Sequence, residues 1–305
     1  MKELPIVTCQ VPIGTTCRHL SINQVVREEG VSQTLRRRLR REGVCYVNGQ
    51  PSTWDKPLQA GDRVAIYYRS DKELIPYEAM PPILYEDRYL LIVNKPRGLL
   101  MHQTASERVA TLANAVMTYY KKSGQAVTGY HPVHRLDCWT SGAVIIAKNP
   151  RVQHAFKQKH IQIQKIYEAI VEGSWPGEKT RIQWPIGRKP GSIVERMCRL
   201  DGKSAVTDVE VLAKSQSYSH IRLWLHSGRT HQIRVHVSTM GYPLVGDDLY
   251  GGSTSKTNHQ LLHARSLRFM HPVTEQLIMV KADLPRIFCQ FIHDIQESSC
   301  YTITN

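Results

Sequence analysis

The stretch HPVHRLDCWTSGAVIIAKNP, residues 131–150, places a carboxylate just ahead of an apolar run. Residues 143–147 predict a buried strand, and Ser141-Gly142 predicts a turn before it. Asp137 then lies at the mouth of the strand, where loop side chains project into clefts. On these residues alone, the more common role for a loop aspartate is structural, with Asp137 capping the turn and pairing with Arg135.

A second informative stretch is LHSGRTHQIRVHVSTMGYPLVGD, residues 225–247. Residues 230–240 predict a helix with one apolar face that stops at Gly241. Arg229 would lie at its N-terminus, where a cation opposes the helix dipole. We therefore expect Arg229 to have a partner, either a phosphate or a buried carboxylate such as Asp137. The alternative is that Arg229, His231 and Arg234 are solvated side chains.

The segment KIYEAIVEG, residues 165–173, predicts a strand with Tyr167 on one face. A single tyrosine on a strand usually belongs to the core, so its position alone assigns no function. Further strands are predicted near residues 89–93 and at 220–226, where apolar and polar residues alternate. Together these segments predict one α+β domain over residues 83–295.

The charge of the chain points to a polyanionic partner. Its 305 residues contain 40 Lys+Arg and 26 Asp+Glu, a formal net charge of +14. Basic side chains that contact phosphates displace condensed counterions, which favours nucleic acid over a merely basic protein. The length predicts about two domains.

The cysteines and the N-terminus suggest where the protein works. Seven scattered cysteines without a CxxC pair favour a reducing compartment. The N-terminus lacks an apolar signal core, and no run reaches the ~18 apolar residues of a membrane span. We expect a cytoplasmic protein with no membrane association.

An N-terminal unit is predicted over residues 12–70, followed by a linker at 71–82. Residues 20–27 and 32–42 predict two helices, the second with Ser32 as its N-cap. Asn48-Gly49 predicts a hairpin turn. The second helix carries five arginines with no acid among them, namely Arg36, Arg37, Arg38, Arg40 and Arg41. Like charges in such a run repel one another, so phosphate contacts are favoured over a solvated helix face.

Several other chemistries lack their motifs. HRLD has no accompanying DFG or GxGxxG, which argues against a protein kinase. His259 and His263 have the spacing of a helical metal pair, but no third ligand is in view. We therefore predict no metal site.

Six segments, in order from about residue 83 to residue 285, resemble RluA-type pseudouridine synthases. HRLDCWTSG (134–142) resembles the motif of the family's aspartate, and SGRTHQIRVH (227–236) is similar to that of its basic partner. KIYEAIVEG resembles the segment with the active-site tyrosine. The opening motif resembles ILYEDRYLLIVNKPRGLLMH (83–102), and the closing segments resemble GDDLYGG (246–252) and LLHARSLRFMHPVT (261–274).

The N-terminal unit resembles the RNA-binding domain of ribosomal protein S-four in its basic helix, its VNG turn and LQAGDRVAI (58–66). The two resemblances imply an α+β catalytic domain with a mainly antiparallel mixed sheet, preceded by a small α/β RNA-binding domain. Four positions depart from the synthase pattern: Cys138 and Trp139 replace residues that are commonly polar or charged, and Gln103 and Ser227 replace proline and threonine.

The resemblance implies an isomerase that converts uridine to pseudouridine in structured RNA, without a cofactor. It implies that Asp137 is the nucleophile, which attacks the ribose or abstracts a ribose proton. Arg229 would be the cation that keeps the Asp137 carboxylate ionised. Tyr167 would be the aromatic ring that stacks on the everted base. The expected contacts with substrate or RNA are His134, Arg135, Thr140, His231 and Arg234. Large-subunit rRNA is the expected target, with tRNA as the alternative, and we expect a monomer. The rival hypotheses are a non-catalytic RNA-binding protein and a hydrolase that releases free uracil.

Overall fold

A computed structural model describes residues 5, 7–11, 20–29, 31, 33–68, 74–125, 127 and 129–301. Within these residues the chain forms a four-stranded sheet near its N-terminus and a ten-stranded sheet in the remainder. None of the helices found there is both long enough and apolar enough to cross a membrane.

The N-terminal unit is built on the four-stranded sheet, with strand order β1-β6-β3-β4 and antiparallel pairing throughout. Its elements are β1 (Val7–Gln10), β2 (Leu20–Ser21), α1 (Ile22–Glu28), α2 (Gln33–Glu42), β3 (Gly43–Val47), β4 (Gln50–Ser52), β5 (Pro57–Leu58) and β6 (Arg63–Tyr68). Because β1 pairs with β6, the sheet begins ahead of the boundary predicted at residue 12. A separate apolar core that includes Val7, Ile22 and Leu39 lies between the sheet and the helices.

Local sequence explains the ends of these elements. The Ser21 side chain accepts a hydrogen bond from the N–H of Gln24, and the Gln24 side chain accepts one from the N–H of Ser21, which makes a capping box at the start of α1. Asn48 and Gly49 have positive φ angles of 52° and 81°, so the predicted hairpin turn is confirmed. The predicted N-cap Ser32 lies outside the described residues.

The ten-stranded sheet has the order β12-β15-β16-β11-β17-β10-β8-β7, with β18 on β17 and β9 on β10. The elements are β7 (Ile83–Glu86), β8 (Leu90–Lys95), α3 (Leu112–Lys122), β9 (His131–Pro132), β10 (Ser141–Ala147), α4 (Pro150–Gln158), β11 (Gln164–Glu172), β12 (Lys179–Ile182), β13 (Ile186–Arg188), β14 (Arg196–Cys198), β15 (Thr207–Lys214), β16 (Tyr218–Leu225), α5 (Gln232–Thr239), β17 (Leu262–Met270), β18 (Leu277–Lys281) and α6 (Arg286–Tyr301). β10 and β17 are parallel, and the other recorded pairs of this sheet are antiparallel. The predicted α+β class with a mainly antiparallel mixed sheet is therefore confirmed.

Both faces of this sheet are covered. Along β8 and β10, alternate side chains enter two different apolar clusters, with Leu91 and Val144 in one and Leu90 and Ile145 in the other. Strands buried on both faces appear in sequence as continuous apolar runs, which is why the pattern at residues 89–93 and 143–147 predicts strands.

The start of β10 differs from the sequence prediction. Ser141 and Gly142 do not form a turn but are the first residues of β10, where they pair with His263 and Ala264. Gly142 has φ 115°, and a β-carbon there would lie 2.6 Å from the backbone nitrogen of Ala264. Only glycine lets the two parallel strands approach so closely.

Residues 74–82, the described part of the predicted linker, contact the unit that contains the ten-stranded sheet. Residues 74–82 contain no helix or strand. The N–H of Tyr77 donates to the Thr118 hydroxyl at 2.9 Å, and the Asn114 side chain donates to the carbonyl of Ile75 at 2.8 Å. The segment is therefore held against α3 by hydrogen bonds.

Candidate active site

Two cavities meet at Asp137, whose side chain is 29% exposed. Asp137 lies in the turn before β10, and its carbonyl accepts a hydrogen bond from the N–H of Thr140 at 3.2 Å. The first cavity, of about 530 Å³, is also lined by Thr140, Tyr167, Ile233 and Leu262. The second cavity, of about 680 Å³, is also lined by Gln103, Trp139 and His259. The carboxylate is therefore accessible from both cavities.

Arg234 is the closest cation to the Asp137 carboxylate among the described residues, with Nη1 3.6 Å from Oδ2. Arg234 lies in the first turn of α5 and is 7% exposed. It donates two hydrogen bonds to the fully buried Asp247, from Nε at 2.8 Å and from Nη2 at 2.6 Å. This planar fork fixes the guanidinium, so that its third nitrogen faces Asp137.

The carboxylates around Arg234 stabilise its charge. Burial alone would lower the pKa of the guanidinium, but the hydrogen bonds to Asp247 and the charges of Asp247 and Asp137 raise it. The Tyr250 ring also lies 4.9 Å from Cζ of Arg234. Arg234 is therefore a permanent cation in the wall of the site, opposite in charge to the Asp137 carboxylate that it faces.

His231 is the second basic group near Asp137, with Nε2 3.9 Å from Oδ2. It is the N-cap of α5 and has a left-handed φ of 56°. Its Nδ1 is hydrogen-bonded to the Tyr250 hydroxyl at 2.8 Å. Burial lowers the pKa of His231 more than the Asp137 charge raises it.

The prediction that Arg229 pairs with Asp137 is wrong. Arg229 is exposed and lies before α5, which begins at Gln232 rather than at residue 230. Its Nε donates to the carbonyl of Ser204 at 2.9 Å, whereas the ion pairs of Asp137 within the described residues are with His231 and Arg234. Arg229 does line the first cavity. Arg234, rather than Arg229, therefore lies beside the Asp137 carboxylate. The sequence predicted Arg234 only as an RNA contact.

Tyr167 forms part of the first cavity from the sheet side and is 7% exposed. The pairing of β11 with β17 shifts register between Ile166 and Tyr167, so the strand is irregular beside the site. Such irregularities often re-aim a side chain near an active site. Burial, and to a lesser extent the Asp137 charge, raise the pKa of the Tyr167 hydroxyl well above its usual range. Tyr167 therefore stays neutral at physiological pH.

Two buried polar groups in the first cavity have no hydrogen-bond partner within the described part of the chain. The Thr140 hydroxyl is one, in a residue that is 2% exposed. His134 Nδ1 is the other, since Nε2 of that ring accepts from the N–H of Ile145 at 3.2 Å. Burial, with the nearby Lys165 charge, lowers the pKa of His134 to about 3. Both groups are therefore neutral and available to a polar ligand.

Lys95 is hydrogen-bonded to the loop that carries Asp137. It is 0% exposed, and its Nζ donates to the carbonyls of Pro96, Leu99 and Cys138 at 3.0, 2.8 and 2.9 Å. Burial lowers the pKa of Lys95 to about 8. Because Cys138 follows Asp137, these bonds tie the loop to the end of β8.

The remaining predicted RNA contacts are Arg135 and the arginines of α2. Arg135 is exposed and lines both cavities. On α2, Arg37 and Arg41 are exposed and Arg40 forms an exposed ion pair with Asp55 at 3.0 Å. Arg36 is partly buried and donates to the Asn23 side chain at 3.3 Å. Arg38 lies in α2, but its side chain is outside the described part of the chain.

Sequence reasoning missed the residues that orient the site. Asp247 and Tyr250 belong to the closing segment GDDLYGG, and Lys95 belongs to the opening motif. Both segments resemble family motifs, but nothing in their local pattern assigns these residues a role. His259 and His263 do not share a helix: His259 precedes β17, while His263 lies within it and bonds to the Ser141 hydroxyl at 2.8 Å.

Comparisons with known proteins agree on one family. The family described as RNA pseudouridylate synthase matches residues 89–239. The uncharacterized RNA pseudouridine synthase YhcT of Bacillus subtilis (strain 168) is 38% identical over 235 residues, which cover 75% of this chain and 77% of that protein. Ribosomal large subunit pseudouridine synthase D of Neisseria meningitidis serogroup A is 33% identical over 263 residues, covering 80% and 70%.

A solved structure is also similar. The human RNA pseudouridylate synthase domain containing 1 aligns with a TM-score of 0.56 at 27% identity, over 68% of this chain and 84% of that one. The order of motifs, the mixed sheet and these relatives agree, and the chain belongs to the RNA pseudouridine synthases, a family of isomerases that act on RNA.

Proposed function

We propose that the protein isomerises specific uridines in structured RNA to pseudouridine, with Asp137 as the nucleophile. The observation that carries this proposal is the contact of Asp137 with a fixed, buried cation, Arg234, at the wall of a cavity that also contains Tyr167. A carboxylate that is paired with a fixed cation beside a cavity is suited to covalent or proton-transfer chemistry on a sugar.

The reaction requires a bond exchange without net redox change. The bond between N1 of uracil and C1′ of ribose breaks, the base rotates, and C5 bonds to C1′. The proton on C5 then leaves, and N1 takes one up. Asp137 attacks C1′ or abstracts a ribose proton to start this sequence, with Nη1 of Arg234 3.6 Å from its carboxylate. All the atoms come from the substrate, so no cofactor is required.

The uridine must leave the helical stack before Asp137 can reach its ribose. The first cavity offers a place for the everted base, with the ring of Tyr167 in its wall. The unpartnered Thr140 hydroxyl and His134 Nδ1 are suited to hydrogen bonds with the polar edge of uracil. Because the Tyr167 hydroxyl keeps its proton, we assign Tyr167 to packing against the base rather than to removing a proton.

Other basic residues would hold the RNA backbone. Arg135 is exposed at the junction of the two cavities, where it is suited to fill the space that the everted base leaves. The exposed arginines of α2 would bind phosphates at a distance from the site, as the resemblance to the S-four RNA-binding domain implies. Arg229, exposed at the edge of the first cavity, would serve as a phosphate contact.

Large-subunit rRNA is the target that we propose, with tRNA as the alternative. A relative at 33% identity is named as a ribosomal large subunit pseudouridine synthase, which supports the first choice. An enzyme that modifies rRNA works where ribosomes are assembled, which supports a cytoplasmic location. The monomeric state stays a prediction.

The test is pseudouridine mapping of total RNA from cells that lack the gene and are complemented with wild type or Asp137→Asn. Wild type should restore pseudouridine at defined positions, and Asp137→Asn should restore none while still binding RNA. Asp201→Asn, an exposed carboxylate far along the chain, is the control and should behave as wild type. Turnover by Asp137→Asn would refute the nucleophile, RNA binding by wild type without modification would favour a binding protein, and free uracil would favour a hydrolase.

A further inference from the structure

Apart from the residues that it shares with the first cavity, the second cavity has no role in the proposed isomerisation. It holds about 680 Å³ and lies across Asp137 from Tyr167, which lines only the first cavity. The two cavities share Arg135, Leu136, Asp137, Val194, His231 and Arg234. A strand of RNA whose uridine fills the first cavity would therefore pass directly into the second.

An aromatic stack forms one wall of the second cavity. The rings of Trp139 and His259 are stacked, with their centroids 3.4 Å apart and their planes within 15°. Gly98 also packs against Trp139, since a β-carbon there would lie 2.9 Å from the indole Cζ3. Trp139 covers one face of the His259 ring, and the opposite face, its outer face, is the one that remains for a ligand.

Arg97 holds the backbone of His259 in place through a hydrogen bond. Nη2 of Arg97 donates to the carbonyl of His259 at 2.5 Å, and it lies 3.3 Å from the Thr257 hydroxyl. The His259 side chain is partly exposed and lines the second cavity. Burial and the Arg97 charge lower the pKa of His259, so its ring is neutral at physiological pH. The structure therefore presents an uncharged aromatic surface to the cavity.

The residues that make this cavity distinctive are those that depart from the family pattern. Gln103, Cys138 and Trp139 each differ from the residue expected at their position, and all three line the second cavity. Tyr167 and Thr140, which match the pattern, line the first cavity.

We propose, building on the proposed function, that the second cavity binds an unpaired nucleobase adjacent to the target uridine, stacked on the outer face of His259. Proteins recognise unpaired RNA bases by stacking them on aromatic side chains, histidine included. Trp139 acts as a positioning residue, because its ring stacks on the face of His259 opposite the proposed base. The choice of uridine would then depend on the neighbouring base as well as on the uridine itself.

The test measures modification kinetics with total RNA from cells that lack the gene, using the full chain and its His259→Ala and His259→Phe variants. Loss of a base stack should raise KM about 5- to 100-fold in His259→Ala. The value of kcat should stay near wild type, since His259 does not contact the reacting atoms. His259→Phe restores a flat ring and should restore KM. His293→Ala, an exposed histidine on α6, is the control, and thermal melting checks that each variant is folded.

Each outcome decides between the proposals. A raised KM in His259→Ala that His259→Phe reverses supports the stacking site. An unchanged KM in His259→Ala, an equal loss in both variants, or a loss confined to kcat overturns it and leaves the proposed function standing. Failure of the wild-type chain to form any pseudouridine would overturn the proposed function, and the stacking site along with it.

Discussion

Arg234 and Asp247 form a buried, two-pronged ion pair that fixes the cation facing Asp137. Nε and Nη2 of Arg234 bond to the two carboxylate oxygens of Asp247, while Nη1 lies 3.6 Å from Asp137. Asp247 is 0% exposed, so its charge has no compensation other than protein groups. The arrangement directs one nitrogen at the proposed nucleophile without depending on the RNA for its geometry.

Asp247→Asn should lower kcat about a hundredfold, the effect expected when an active-site group is displaced by about 1 Å. Asparagine has the shape of aspartate but only one acceptor oxygen, so the fork of Arg234 loses one bond and turns away from Asp137. RNA binding should change little, because Asp247 is buried. Single-turnover rates and filter binding measure the two effects, and Asp294→Asn, an exposed acid on α6, is the control.

Arg234 and Arg229 should differ sharply in their contributions. Arg234→Lys keeps a charge but loses the fork, and we expect kcat to fall by about 10²–10³, as when one preorganised hydrogen-bond donor is removed from an active site. Arg229→Lys should leave kcat within about threefold, because the exposed side chain bonds to Ser204 rather than to Asp137. The reverse ranking of the two variants would reject the assignment drawn from the geometry. Circular dichroism and thermal melting show whether each variant is folded.

The positions of the strands were predictable because their periodicity is local. Tyr167 shares a strand face with Ala169 and Val171, and all three enter the same apolar cluster. Asp137 precedes an apolar run that is buried on both faces of the sheet. Short-range pattern was enough in both cases to place the residue on its element.

The identity of the cation beside Asp137 was not predictable in that way. Residues 229 and 234 lie on the same motif and both line the first cavity, and which of them faces Asp137 depends on where the helix begins. The helix starts two residues later than predicted because His231 adopts a left-handed conformation and becomes the N-cap. Asp247, whose hydrogen bonds fix Arg234 beside Asp137, belongs to a different segment of the chain. The ion pair of Arg234 with Asp247 is therefore visible only in the tertiary structure.

The exposed arginines of α2 should account for part of the salt dependence of RNA binding. Replacing Arg37, Arg40 and Arg41 with glutamine should weaken binding and reduce the slope of log K against log salt by about 0.7 for each phosphate that is no longer neutralised. The ion pair of Arg40 with Asp55 is exposed, so its removal should cost little stability. Binding titrations over a range of salt concentrations measure the slope.

The matched control for that experiment removes the same charge elsewhere. Lys122, Lys179 and Lys281 are exposed residues of the catalytic unit, and their triple replacement by glutamine also removes three positive charges. If both triple variants reduce the slope equally, net charge rather than the N-terminal helix determines binding. A slope unchanged in the arginine variant would reject a role for α2 in phosphate contacts.

His263 should make the fold sensitive to acid. Its side chain is 0% exposed, bonded through Nδ1 to the Ser141 hydroxyl at 2.8 Å and through Nε2 to the carbonyl of Ala282 at 3.3 Å. Burial lowers its pKa from 6.5 to about 4. Between these values the unfolded chain binds a proton that the folded chain does not, so stability is fully present above about pH 6.5 and is lost as the pH falls toward 4.

The expected contribution of His263 to this loss is at most about 3.5 kcal/mol, from about 1.4 kcal/mol for each unit of pH between 6.5 and about 4. His263→Gln removes the titrating ring, so the variant should be less stable at pH 7 but should lose less stability between pH 6.5 and pH 4. Part of the acid sensitivity should remain, because burial also lowers the pKa of His134, to about 3. Urea unfolding at several pH values gives the dependence of the free energy of unfolding on pH for wild type and for His263→Gln. His293→Gln, at an exposed histidine, is the control. Equal dependence of stability on pH in wild type and His263→Gln would mean that burial does not keep the ring at 263 neutral.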